Sequence, residues 1–394
     1  MLLDGAKNET TSFLAGILVR APARTYKNSQ NNIMSDQIIS VFNVVRILGI
    51  ATISFFVAIL ITPIWSKILF KYFKPGKEIE RPKNTFWGPT PIFNALHKDK
   101  AGTPTMGGVI VWLTVAVITL VVWIFSHYFD GFWSRWNFLS RGQTFLPLGV
   151  LIMAALLGMA DDILGIFKKG GIRWHRRLLL HLLVAAVGAW WFYFKLDWDI
   201  INIPFLGDFA IGLWYIPIFL FVIVATAFSA NETDGLDGLV GGVFLTSFMA
   251  LGAIAFVQGR TDLVIFIAAI IGALVAFLWF NIYPAKFFMG DTGVMALGFV
   301  LGVVAMLTNT FLLLPIIGIV MVIETLSVVV QTISKKIRKK KIFLSTPIHH
   351  HFEALGWPET QVTMRFWVIS AIGAILGIII FLADSKIPPL NVFF

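Results

Sequence analysis

The chain has 394 residues, 58% of them hydrophobic and 13% charged, with a formal charge of +10 and no cysteine. A soluble domain carries about a quarter charged residues, so a mean hydropathy of +0.84 excludes an ordinary water-soluble fold and assigns much of the surface to lipid. Disulfides and thiolate metal sites are excluded as well. The excess of Lys and Arg falls mostly in loops between apolar runs, where it reads as membrane orientation rather than nucleic-acid binding.

In chain order, residues 1–35 are polar and lack a full span. Phe13–Val19 is too short for a signal-peptide core and is followed directly by Arg20. This stretch reads as a disordered extension or a mis-assigned start, with Met34 as a natural beginning and 36–394 as a single membrane-embedded domain. Apolar runs able to cross a core of about 30 Å, roughly 20 helical residues, lie near 47–66, 106–128, 145–160, 178–194, 211–230, 238–257, 263–282, 294–308, 311–331 and 366–383. A single helix over Val294–Val330 would rise about 55 Å, so a turn at Thr308–Thr310 divides it. The expected fold is an all-α polytopic integral membrane protein of about ten transmembrane helices. Lys and Arg concentrate after spans 1, 3, 5, 7 and 9, among them Lys168, Arg177 and the run Lys335–Lys341. Those loops should therefore be cytoplasmic, with both termini outside. The external segment Leu196–Leu213 alternates like a strand and can form a small hairpin.

Five polar clusters sort to the cytoplasmic ends of these spans: 97–108, 160–162, 231–238, 288–293 and 347–353. Asp161 and Asp162 end span 3. Charge at membrane depth is expensive and reads as functional, and neighbours about 100° apart on a helix do different jobs. Asn231, Glu232, Asp234 and Asp237 crowd into eight residues that lack Lys and Arg. Capping of a helix N-terminus explains one such acid well and three poorly. Asp234 and Asp237 would share a face if span 6 began there. Asp291, flanked by Gly290 and Gly293, is equally an N-cap taken alone. Lys100, Thr105 and the free backbone N–H groups of 102–108 suit a phosphate at a helix start, without a Walker A pattern. His349, His350 and His351 cannot easily converge on one ion and fit hydrogen bonding to phosphate or sugar oxygens. Glu324 either pairs with a neighbouring helix or floors the pocket. Carboxylates in separate loops suit Mg²⁺ held together with a phosphorylated substrate.

GTPTMGG at 102–108, the Asp161–Asp162 pair, NETDGLDGL from Asn231, FFMGDTG up to Gly293 and PIHHHFEALGWPE from Pro347 closely resemble the phospho-N-acetylmuramoyl-pentapeptide transferase family, within the polyprenyl-phosphate N-acetylhexosamine-1-phosphate transferases. The resemblance implies ten helices, a homodimer and a cytoplasmic site. The implied reaction is transfer of phospho-MurNAc-pentapeptide from UDP-MurNAc-pentapeptide to undecaprenyl phosphate, giving lipid I and UMP. It further implies Asp291 as the Mg²⁺ ligand and Asp161 as the base at the lipid phosphate, with Asp162 beside it. Lys100, Thr105, Asn231, Asp234 and Asp237 take the nucleotide, Phe288 stacks on uracil, and His349, His350 and His351 face the sugar-phosphate. Gly165 and His175 stand where the family has lysines, and Lys168 or Lys169 can replace the first. Phe228, Glu232 and Val294 also depart from the pattern. A sister enzyme moving GlcNAc-1-phosphate, and a secondary transporter with a carboxylate relay, are the rival readings. Paired repeats, usual in transporters, are missing from the sequence.

Overall fold

The computed structural model describes residues 23–73, 100, 102–131, 133–168 and 171–384. The expectations placed on 1–22, on 97–99 and on Lys169 lie outside the described residues, as does the side chain of Lys168. The chain divides after Ile47. The first unit holds the start of α1, and Leu48–Phe394 forms the second, which carries every site residue.

Helix follows the apolar runs because a backbone in hydrocarbon must satisfy its hydrogen bonds within the segment. The helices are α1 (Ala23–Tyr72), α2 (Val109–Tyr128), α3 (Phe145–Lys168), α4 (Trp174–Lys195), α5 (Tyr215–Thr233), α6 (Leu239–Val257), α7 (Thr261–Asn281), α8 (Gly290–Leu307), α9 (Leu314–Ile317), α10 (Ile319–Ile337), α11 (Ile348–Ala354) and α12 (Glu359–Ala383). Among the described residues nine helices are long and apolar enough to cross a membrane, and ten if α9 and α10 count as one bent span. The polytopic all-α reading therefore holds.

α8 is the axis of the second unit: it is buried along nearly its whole length and packs chiefly on α3 and α5. The close approach depends on missing side chains. A Cβ at Gly158 of α3 would collide with the carbonyl oxygen of Asp291, and one at Gly108 with the backbone of Gly293.

Four boundaries differ from the sequence expectation. α1 begins at Ala23, well before the apolar run at 47–66 and inside the stretch expected to be disordered. α3 does not stop at the aspartates but runs on to Lys168, because carboxylates with partners inside the fold need not end a helix. α6 begins at Leu239, so Asp234 and Asp237 lie in the turn before it and do not share its face. The ninth span is bent by 82° between Ile317 and Ile319. Gly318 departs from helical geometry there, with φ −98° and ψ 34°. The division near residue 308 is as expected: α8 ends at Leu307 and Asn309 takes a φ of 53°.

The segment after α4 is a hairpin, β1 (Ile200–Ile203) against β2 (Gly207–Ala210), antiparallel with Ile200 opposite Ala210. The backbone N–H of Asn202 donates to Asn309 Oδ1 at 3.0 Å, which ties the hairpin to the turn after α8.

Candidate active site

Three segments far apart in sequence meet at the start of α8. The loop before α2 is laced to the loop before α8 by backbone bonds: Phe288 N–H to Pro104 O (2.9 Å), Gly107 N–H to Phe288 O (2.8 Å) and Gly108 N–H to Met289 O (2.9 Å). Gly290 sits at φ +73°, a conformation that side chains resist, and its turn delivers Asp291 to the first turn of α8. Asp162, one helix away on α3, supplies the cap. Its carboxylate accepts the N–H groups of Thr292 (3.0 Å) and Asp291 (3.2 Å) and faces the Thr105 hydroxyl at 3.5 Å. An acceptor at two orphan N–H groups of a helix start is favourable both by hydrogen bonding and by the helix dipole.

Asp161 turns elsewhere, as neighbours on a helix must. It accepts the backbone N–H of Ile172 and pairs with Arg177 Nε at 3.1 Å. Arg177 on α4 reaches Asp291 through Nη2. Asp291 also accepts Asn231 Nδ2 at 2.6 Å, and its side chain stays 24% exposed. Asp161, Asp162, Asp291 and Asn231 are thus brought together, with Arg177 bridging two of the acids.

The expected cation at His175 arrives differently. His175 is exposed and its ring lies against Trp174, while Arg177, two residues on, reaches the carboxylates. Gly165 has nothing within 4 Å of the place where a side chain would begin. Arg177 had no signal of its own in the sequence, where it was one of many basic loop residues.

The nucleotide candidates form a second cluster. Lys100 Nζ pairs with Asp237 Oδ1 at 2.7 Å and with Glu359, and stands 5.7 Å over the Phe288 ring. Asp237 Oδ2 accepts the N–H of Ala285 at 2.9 Å. Asn281 joins the two loops, accepting from Gly238 N–H (3.1 Å) and donating to Phe287 O (2.9 Å). Asp234 follows α5 at the turn, half-buried.

The histidines do not share one ligand; they lie on the short helix α11. His349 Nδ1 is 3.0 Å from Glu324 Oε2, with both side chains buried, so Glu324 pairs with a neighbouring element. The Nε2 of His349 abuts Gly235, where a Cβ would collide with it. His350 Nδ1 is 2.7 Å from Glu353 Oε2. His351 Nδ1 accepts the N–H of Leu344 at 3.2 Å and so holds the preceding loop.

Burial lifts the Glu353 carboxyl from its ordinary 4.5 to about 7, with Glu359 and Asp237 adding to the rise and His349 and Lys100 opposing it. A raised acid keeps its proton in the folded state through the window where the unfolded chain has already lost it. Stability should therefore fall as pH rises from about 4.5 to about 7 and then level off. Glu353→Gln removes this slope. Melting temperatures of the two proteins across that range should converge at low pH and separate towards neutrality; parallel curves would count against it.

Among the described residues no three His, Cys, Asp or Glu side chains are placed to cage a metal. The acids fit Mg²⁺ in another way. Asp161, Asp162 and Asp291 outnumber the one guanidinium among them, and Mg²⁺ prefers one or two carboxylates completed by substrate phosphates.

The described helices make a polytopic membrane protein with carboxylates, an arginine and a lysine gathered around the starts of its helices. The N–H groups there that were expected to be free for a phosphate are taken, Gly107 and Gly108 by Phe288 O and Met289 O, and Asp291 and Thr292 by Asp162. The chain matches Glycosyl transferase family 4 over residues 144–309 and the phospho-N-acetylmuramoyl-pentapeptide-transferase signature 1 over 100–110. It is similar to the phospho-N-acetylmuramoyl-pentapeptide-transferase of Chloroflexus aurantiacus, 38% identical over 350 residues, covering 84% of this chain and 89% of the relative. The enzyme of that name from Anoxybacillus flavithermus is 37% identical over 339 residues (85% and 97%). That from Clostridium perfringens is 38% identical over 332 (83% and 96%). The chain belongs to the phospho-N-acetylmuramoyl-pentapeptide-transferase family.

Proposed function

We propose that this protein transfers phospho-MurNAc-pentapeptide from UDP-MurNAc-pentapeptide to undecaprenyl phosphate, releasing UMP and forming lipid I, as a homodimer in the bacterial inner membrane with its site towards the cytoplasm. The observation that carries the reading is the junction at the start of α8. There Asp291, capped through its backbone by Asp162, meets Asp161 across Arg177 beside a family signature that contains Lys100 and Thr105.

An oxygen of the lipid phosphate attacks the sugar-bearing phosphorus of the donor, and the bond from that phosphorus to UMP breaks. Asp161 holds or accepts the proton of the lipid phosphate, so that the attacking oxygen is anionic. Arg177 sits between the two reacting anions, where a guanidinium suits phosphate oxygens bidentately. Lys100 and Asp237 with Phe288 receive the uridine end. His349 offers its buried Nε2, which has no hydrogen-bond partner among the described residues, next to the Gly235 loop. Mg²⁺ held at Asp291 would neutralise the diphosphate and the leaving UMP.

The two aspartates then separate by experiment. Asp161→Asn should spare UMP binding and lower kcat by about a hundredfold or more, as loss of a general base does. Asp162→Asn should disturb both, because it loosens the cap that aims Asp291. UMP affinity lost in Asp161→Asn would move that residue to the nucleotide pocket. The reaction is tested with purified protein, undecaprenyl phosphate, Mg²⁺ and either UDP-MurNAc-pentapeptide or UDP-GlcNAc. Lipid I from the first donor alone is the expected outcome, and product only from the second would replace this reading with the GlcNAc-1-phosphate one.

A further inference from the structure

α12 is the last span, and most of one side faces outward: Met364 is 61% exposed, Val368 59% and Ile372 53%. Its opposite side carries polar groups at helical spacing, Glu359, Thr363, Trp367 and Ser370, steps of four, four and three that stay on one face. Every one of them reaches the Asp237–Gly238 turn or the helix that follows it. Glu359 accepts the Asp237 N–H at 2.7 Å. The Thr363 hydroxyl donates to Asp237 O at 3.2 Å. The Trp367 indole donates to Gly238 O at 3.1 Å, and Ser370 meets Thr246 of α6 at 2.6 Å. Both backbone polar groups of Asp237 are thus held by one helix. The same Glu359 oxygen pairs with Lys100, so the stripe fixes the lysine as well.

An acid in the first turn of a helix is ordinarily explained by the helix dipole. That explanation covers Glu359 but not Thr363 or Trp367, which donate outward to a single turn of another segment. Nor does burial alone account for them, since apolar residues would fill the same contact without fixing a backbone.

We propose that Glu359, Thr363 and Trp367 are positioning residues that fix the Asp237–Gly238 backbone and Lys100 for the uridine nucleotide of the donor. The inference rests on the reading of the site given above. It assigns α12 a part in donor affinity and none in the acceptor step, because no member of the stripe bonds to Asp161, Asp162, Asp291 or Arg177.

The test compares the wild type with Glu359→Gln, Thr363→Val and Trp367→Phe, with Thr363→Ser as the conservative control. UMP binding is measured by calorimetry, and initial rates are measured with each substrate varied in turn. Each of the three variants should raise the UMP Kd and the donor KM by about tenfold, the equivalent of one net hydrogen bond. The acceptor KM should not move, kcat should stay within about threefold, and Thr363→Ser should restore the wild-type values. Unchanged donor constants would overturn the inference. So would a common fall in kcat with both KM values raised, which marks general loosening of the fold. A wild type that binds no UMP would overturn the functional reading itself and this inference with it; wild-type UMP binding alongside unaffected variants overturns the inference alone.

Discussion

Asp291→Asn is expected to lower turnover by about a thousandfold at millimolar Mg²⁺, with only part of the loss recovered by more metal. The size follows from what the residue holds. Its carboxylate accepts the Asn231 amide and pairs with Arg177 while its side chain stays partly exposed. An asparagine is nearly the same shape, so the α8 start and its Asp162 cap should persist. What disappears is one negative charge at the proposed Mg²⁺ position, and charge stabilisation there amounts to several kcal/mol of the barrier. The two partners sit on different oxygens, Asn231 on Oδ1 and Arg177 on Oδ2, and the amide puts an NH2 donor in place of one of them, so one of the two contacts is lost. The measurement is kcat across a Mg²⁺ titration, with Mn²⁺ binding followed by electron paramagnetic resonance. Full activity at ordinary Mg²⁺, or undiminished Mn²⁺ binding, would take Asp291 out of the metal site.

Much of this architecture was legible in the sequence, for a simple reason. In a chain with so little charge, every acid at a span end stands out, and apolar length fixes helix number through the thickness of the bilayer. The turn near Thr308 and the hairpin at 200–210 could be read from the same length arithmetic and from alternation. Composition hides partnerships. Asp162 and the Thr292 N–H it caps are 130 residues apart, and nothing in either neighbourhood announces the other. Arg177 was submerged among basic loop residues that serve orientation. Thr363 falls before the expected last span at 366–383 and Trp367 just inside it, and a threonine and an interfacial tryptophan there need no special reason. The bend at Gly318 was missed because hydropathy is blind to direction: both arms are apolar. The aspartates seemed to close span 3 for the opposite reason, because hydropathy falls at charges whether or not they are paired.

Arg177 is the residue on which the carboxylate junction turns, and its substitutions should separate charge from shape. Its Nε holds Asp161 at 3.1 Å and its Nη2 holds Asp291, so one planar group spans two acids from two different helices. A lysine carries the same charge as a compact point with no fork, and it can serve one acid well or both poorly. Arg177→Gln removes the charge and leaves three carboxylates facing one another. Breaking a partly buried ion pair by removing one partner costs about 3 kcal/mol or more, so the glutamine variant should melt well below wild type in low Mg²⁺. Added Mg²⁺ restores the missing positive charge, so its melting temperature should climb more steeply with metal than that of wild type. Activity should fall by about a hundredfold in Arg177→Gln and recover partly in Arg177→Lys. The combination matters more than either reading alone, since a residue that only braced α4 against α3 would lower stability without making it depend on metal. Melting curves in a Mg²⁺ series for the three proteins decide the point. Parallel curves with wild-type activity in the glutamine variant would show that the guanidinium is a bystander and that the two aspartates act without it.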